Sequence, residues 1–157
     1  MPEKLHISYF SYREKKFYRG VLKLPTKRIE QIFKDAIRDN QTEKQYHYRG
    51  DAKGLTFVVG IANNGVILIW VRGIYLEKLI LKAKINTAIP SSMDMFEDKD
   101  TSTVAYIERT FDKITDSTKL AYKNGYDSPA NYADSLTHYL ENNKKRWELD
   151  RKNGLVN

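Results

Sequence analysis

Phe57-Val58-Val59-Gly60-Ile61-Ala62-Asn63-Asn64-Gly65-Val66-Ile67-Leu68-Ile69-Trp70-Val71-Arg72-Gly73 is the stretch whose reading decides the fold. Two apolar runs flank Asn64-Gly65, the dipeptide best suited to a type I′ turn, in which both central residues take positive φ. The stretch therefore reads as a β-hairpin at the heart of a sheet. Its second strand is apolar at both parities, Val66/Leu68/Trp70 and Ile67/Ile69/Val71, the pattern of a central strand covered on both faces.

Downstream, residues 74–85 read as the next strand. Leu79, Leu81, Ala83 and Ile85 are expected on one face, with Lys82 and Lys84 on a solvated one. Upstream, Leu5 to Tyr12 and Phe17 to Leu24 mix aromatic and β-branched residues and read as a pair of strands around the polar turn Arg13-Glu14-Lys15-Lys16. Pro25 ends the second of these, since proline cannot donate to a ladder. Ile29, Ile32, Phe33, Ala36 and Ile37 then recur at helical spacing. They predict a helix over residues 27–39 with Thr26 as its N-cap. A polar loop is expected from Asp39 towards Gly54, and another from Pro90 to Thr103. Two helices close the chain, one carrying Val104, Ile107, Phe111 and Ile114, the other Tyr132, Leu136, Tyr139, Leu140 and Trp147. The expected fold is α+β. It is a single domain over residues 1–157, with an antiparallel sheet of about five strands, one inserted helix and two C-terminal helices.

Composition narrows the chemistry. The 157 residues are 41% hydrophobic and 30% charged, a globular balance. The chain has no cysteine, which removes disulfides, thiolate metal sites and a cysteine nucleophile. The longest apolar run, Val66 to Val71, is far short of the about 20 residues that span a bilayer. The net charge of +7 is uneven: residues 1–53 hold 13 Lys/Arg against 7 Asp/Glu, whereas residues 54–102 hold 5 against 5. A basic balance of this kind suits nucleic acid, an anionic membrane or an acidic protein, and equally a solvated lysine-rich surface.

Phe17-Tyr18-Arg19-Gly20 leading to Leu24-Pro25, followed by Val59-Gly60-Ile61-Ala62-Asn63-Asn64-Gly65-Val66 and Trp70-Val71-Arg72-Gly73, resembles a bacterial family catalogued as domain of unknown function 2931. The resemblance covers about residues 5–85 and departs at Asn63-Asn64, where that family's pattern has Pro-Gly. It implies an envelope lipoprotein or, as for some members, an immunity protein encoded beside an antibacterial effector of a type VI secretion system. It further implies a cognate toxin as partner. The implied location is the periplasm or cell envelope if a lipoprotein leader has been removed from the chain, and the cytoplasm otherwise.

No local pattern nominates a catalytic residue, a cofactor or a metal. His6, His47 and His138 never fall at i, i+3 or i+4, the spacing that puts two imidazoles on one metal. Asp94, Glu97, Asp98 and Asp100 lack the pattern of a calcium loop. Gly50, Gly54, Gly60 and Gly65 form no nucleotide cradle. Arg13, Lys15, Lys16, Arg19 and Lys23, interleaved with Tyr12, Phe17 and Tyr18, could form a basic–aromatic nucleic-acid surface, and Lys144-Lys145-Arg146-Trp147 a membrane-surface patch. Met93, Met95 and Phe96 in an acidic loop either tuck inward or meet a partner. The expected function is a non-enzymatic immunity protein that occludes a toxin, with partner contacts at Met95, Phe96, Asp98, Tyr122 and Tyr126. No nucleic acid is expected as its partner. An envelope domain for a small ligand or glycan, and a basic nucleic-acid binder, are the alternatives.

Overall fold

The computed structural model describes residues 1–45, 52–95, 102–124 and 137–155. β1 (Lys4–Ser11) and β2 (Lys16–Lys23) form the first hairpin, and α1 (Thr26–Arg38) follows. β3 (Glu43–Gln45) and β4 (Ala52–Gly54) are a short antiparallel pair. β5 (Thr56–Ile61), β6 (Val66–Gly73) and β7 (Leu76–Lys84) make an antiparallel meander with β6 in the middle. β8 (Asn86–Thr87) pairs with β2. The last helices are α2 (Thr103–Asp112), α3 (Asp116–Lys123) and α4 (Tyr139–Lys152). The α+β class is as expected. The strands nevertheless fall into three antiparallel sheets of three, two and three strands, and the C-terminal part holds three described helices.

The two three-stranded sheets are joined through one strand. β7 ends at Lys84 against Val66 of β6, and two residues later Asn86 lies against Arg19 of β2. Only Ile85 separates the two pairings, so β7 and β8 act as one long strand that changes partner. The five-strand expectation survives in this form, as the order β1, β2, β8/β7, β6, β5.

The turn at Asn64-Gly65 is as the dipeptide demands. Asn64 and Gly65 both have positive φ, and the Val66 amide donates to the Asn63 carbonyl. Gly65 is buried, and its carbonyl accepts from the Ile85 amide at 2.9 Å. A β-carbon at Gly65 would run into that carbonyl's neighbour, the Ile85 oxygen, and into the Tyr18 ring. A β-carbon at Gly20, on the other side, would overlap the Ile85 side chain.

The core gathers Tyr18, Leu22 and Leu24, Ile29 and Ala36 of α1, and Ile67, Ile69, Val71, Ile80 and Ile85. α1 lies over the sheet with Ile29, Ile32, Phe33 and Ala36 inward, and Phe33 stacks on Phe57 with ring centroids 6.3 Å apart. Ile37 is exposed instead of completing the stripe, because at about 100° per residue it sits some 80° round from Ile29. Thr26 is the first helical residue and not the N-cap; Pro25 holds the cap position.

Three further expectations are corrected. Leu79 does not share a face with Leu81: β7 carries an extra residue, Ile80, between the pairs Trp70–Leu79 and Ile69–Leu81. A bulge of this kind flips parity along one strand. Ile80 and Leu81 therefore both reach the core while Leu79 is exposed, and the Leu79 carbonyl accepts from Arg28 of α1 at 3.0 Å. The polar loop after α1 contains the β3–β4 pair. The helix read through Ile114 ends at Asp112, and Thr115 caps a new one by accepting from the Thr118 amide. Tyr132 and Leu136 lie outside the described residues. Among those described, no helix is long and apolar enough to cross a membrane.

Gly65→Ala should lower the unfolding free energy by roughly 2–4 kcal/mol, from left-handed backbone strain plus overpacking. Urea denaturation monitored by Trp fluorescence measures it, and a loss under about 0.5 kcal/mol would contradict the packing described.

Candidate functional site

Three polar knots and one open face account for most of the described polar structure. The first knot ties two turns together. Glu14, in the β1–β2 turn, accepts from the Tyr18 hydroxyl at 3.1 Å and the Asn64 amide at 2.9 Å on one oxygen, and from Ser11 at 3.0 Å on the other. Arg13 donates to Asn63 at 3.0 Å. Tyr9 stacks on Tyr18 with centroids 5.1 Å apart. Burial, then the neighbouring Tyr18 and Glu14, pushes the Tyr9 phenol up to about 12. With its carboxylate saturated by donors, this knot serves the fold.

The second knot holds the turn at residues 91–95. Asp94 accepts from the Ser91 amide at 2.6 Å and its hydroxyl at 2.7 Å, and pairs with Arg19 of β2. The Tyr106 hydroxyl of α2 donates to the Asp94 carbonyl at 3.0 Å. α2 meanwhile packs Phe111 edge-on to Phe10 and Tyr12, with centroids 5.8 Å away in each case.

The third knot docks α4 on the β6–β7 turn. Trp147 is 1% exposed and packs against Tyr75 and Tyr139, with centroids at 4.8 and 5.5 Å. Arg72 lies 4.4 Å over the Tyr139 ring and pairs with Glu77 at 2.6 Å, while Thr137 donates to the same carboxylate. The Tyr139 hydroxyl is 3.1 Å from Glu43 and 3.2 Å from the Gly73 carbonyl. With Trp147 buried, the basic run around it does not form a membrane-facing aromatic anchor.

The open face is the outer side of the sheet. Cross-strand pairs there are Lys4–Lys23, His6–Val21 and Ser8–Arg19, all exposed. Asn86 stands opposite Arg19, and alternate residues of the long strand continue the face with Lys84 and Lys82. None of these strand positions carries a carboxylate. Arg19 is neutralised by Asp94, and Val21, 56% exposed, is the apolar point in the middle. Where β2 and the Asn64 turn part on either side of Ile85, a shallow cleft of about 220 Å³ is lined by Lys16, Lys84, Asn64, Asn86 and Thr87. At the margin, Ile89 before the Ser91–Asp94 turn and Met93 within it are 76% and 86% exposed.

Of the residues expected to meet a partner, Met95 is buried at 6% exposure and presents no surface. Its neighbour Met93 does, and a sequence offering both gives no sign of which turns in. Tyr122 is half-buried on α3. Phe96, Asp98 and Tyr126 lie outside the described residues, as does His47. Phe17 and Tyr18 are buried, so the alternative of a basic–aromatic surface on the first hairpin loses two of its three aromatics. His6 is on the open face, and His138 precedes α4 with Nδ1 at 2.9 Å from Glu141. Among the described residues, no three His, Asp or Glu side chains gather as a metal site.

Residues 1–127 match the family described as Protein of unknown function (DUF2931). The match runs beyond residue 85 through α2 and α3, where no motif was legible, and stops before α4. No curated protein and no solved structure matches the chain.

The α4 knot is testable by pH. Burial, and after it the Glu43 carboxylate, pushes the Tyr139 phenol up to about 12. The folded chain keeps a proton that the unfolded chain loses near pH 10, so this contribution is complete below pH 10 and is lost as pH rises through 12. Tyr139→Phe should cost about 1 kcal/mol at neutral pH, through the lost hydrogen bonds. It should also flatten the alkaline decline of the urea midpoint, leaving the part due to Tyr9 and Tyr18, whose phenols are likewise pushed up by burial. An unchanged alkaline profile would contradict the assignment.

Proposed function

The chain belongs to this family, and we propose that it is a non-enzymatic protein-binding member that neutralises a bacterial toxin by covering it. The observation that carries the reading is the open outer face of the sheet. It is held in place by backbone ladders and bears one exposed apolar residue, Val21, amid polar and basic ones, with Ile89 and Met93 at its margin. Interfaces set apolar contact inside a polar rim, and here Val21, Ile89 and Met93 are the exposed apolar side chains beside polar and basic ones. They bury about 1,200–2,000 Å² in total. A preformed strand surface needs little ordering on association, which leaves more of the contact energy as affinity. Occlusion asks nothing of the chain beyond shape, charge and rigidity. Supply of the toxin by a type VI secretion system is the further reading that the family resemblance supports.

Co-expression with the product of the adjacent gene tests the proposal. The expected outcome is a toxic product whose effect this chain suppresses and with which it co-purifies in a stoichiometric complex. A non-toxic product, or toxicity that persists at excess of this chain, would overturn it.

A further inference from the structure

We propose that the outer face of β1, β2 and β8/β7 is the contact surface, and that it accepts an acidic patch on the partner protein. The inference rests on the neutralising function above and goes further, to the surface and the chemistry of what it meets. Lys4 and Lys23 stand directly opposite each other, an arrangement that is unfavourable for two like charges. Lys84 lies on the next strand over, two residues before Asn86, which stands opposite Arg19. The one described carboxylate paired on this face, Asp94, is taken up by Arg19 and Ser91. Among the described residues no carboxylate pairs with Lys4, Lys23 or Lys84, so these three keep positive charge around Val21. An acidic protein surface offsets the Lys4–Lys23 repulsion and covers Val21 at once. Nucleic acid fits less well, because bases bind on exposed aromatic rings. The two rings on this face, Phe10 and Phe17, pack against each other at 4.8 Å, and Phe10 is further covered by Tyr106 and Phe111. Like-signed strand positions of this kind raise association rates and make them sensitive to salt.

The test uses the full chain and two probes, poly-L-glutamate and a single-stranded oligodeoxynucleotide of matched charge, by fluorescence anisotropy across salt. Lys4→Glu with Lys23→Glu reverses the charge of the face while keeping a like-charged pair, so stability should stay near wild type, as a thermal melt will check. Lys144→Glu with Lys145→Glu removes the same charge from the exposed side of α4. The first double variant should weaken poly-L-glutamate binding by roughly tenfold or more, and the second by less than about threefold. Equal losses in the two variants would reduce the effect to net charge and overturn the proposal. So would tighter binding of the oligonucleotide through Lys4 and Lys23. Against the co-expressed toxin, the first double variant should protect poorly and the second fully. Full protection by the first overturns the surface and leaves the neutralising function standing. Failure of the wild type to protect overturns that function, and the charge assignment is then decided by the probes alone.

Discussion

Everything in the described sheet hangs on the junction at Ile85. A single residue separates the last pairing with β6 from the first pairing with β2, and its side chain sits where a β-carbon on Gly20 would fall. Its amide meanwhile bonds to the buried carbonyl of Gly65. The strand can change partner there only because two glycines let backbone and side chain approach so closely. One of them must also hold positive φ to close the Asn64 turn. The turn and the junction are thus one constraint. Glu14 extends it by bonding the Asn64 amide and the Tyr18 hydroxyl together, which locks the first hairpin to the second.

That lock explains why the outer face is a surface and not a loop cluster. The positions of Lys4, Lys23 and Val21 follow from the β1–β2 register, and those of Asn86 and Lys84 from the strand that leaves Ile85. α1 covers the opposite face, α2 covers the end with Phe10 and Phe17, and α4 docks at the far turn. Among the described residues, the outer positions of β1 and β2 from Lys4 to Ser8 and from Arg19 to Lys23 stay exposed beside these elements.

How much of this the sequence carried depends on the range of each signal. The Asn64-Gly65 turn and the central place of β6 are local and periodic, and both were legible. The α1 stripe was legible except at Ile37, where helical drift decides. The extra residue Ile80 was not, because a bulge leaves an apolar run looking the same while reversing its faces. The β3–β4 pair was hidden by polar strands three residues long, too short to show a period. The open face was half visible. Arg19 and Lys23 stand out by their spacing, but Lys4 faces Lys23 only through the β1–β2 register, and Lys84 reaches the face on the strand that pairs with β2 after Ile85. The loop anchors failed differently: Met93 and Met95 differ in burial because Asp94 between them is fastened to Ser91 and Arg19, a geometry no spacing encodes.

Local consistency usually marks a part of a protein kept for stability, and a broken local rule one kept for something else. Most polar groups here obey. Glu14 has three side-chain or amide donors, Glu77 has Arg72 and Thr137, and Asp94 has Arg19 and Ser91. Inside, among the described residues, the Tyr9 hydroxyl and the Trp147 Nε1 find no partner; on the surface, the departure is Lys4 facing Lys23 at the solvent side of a hairpin whose inner side packs on the core. A carboxylate at either place would make a favourable cross-strand pair. The fold gains nothing from the second lysine, since neither side chain is buried. On the proposed reading the gain lies in the partner, because an acidic surface laid across both lysines offsets their repulsion.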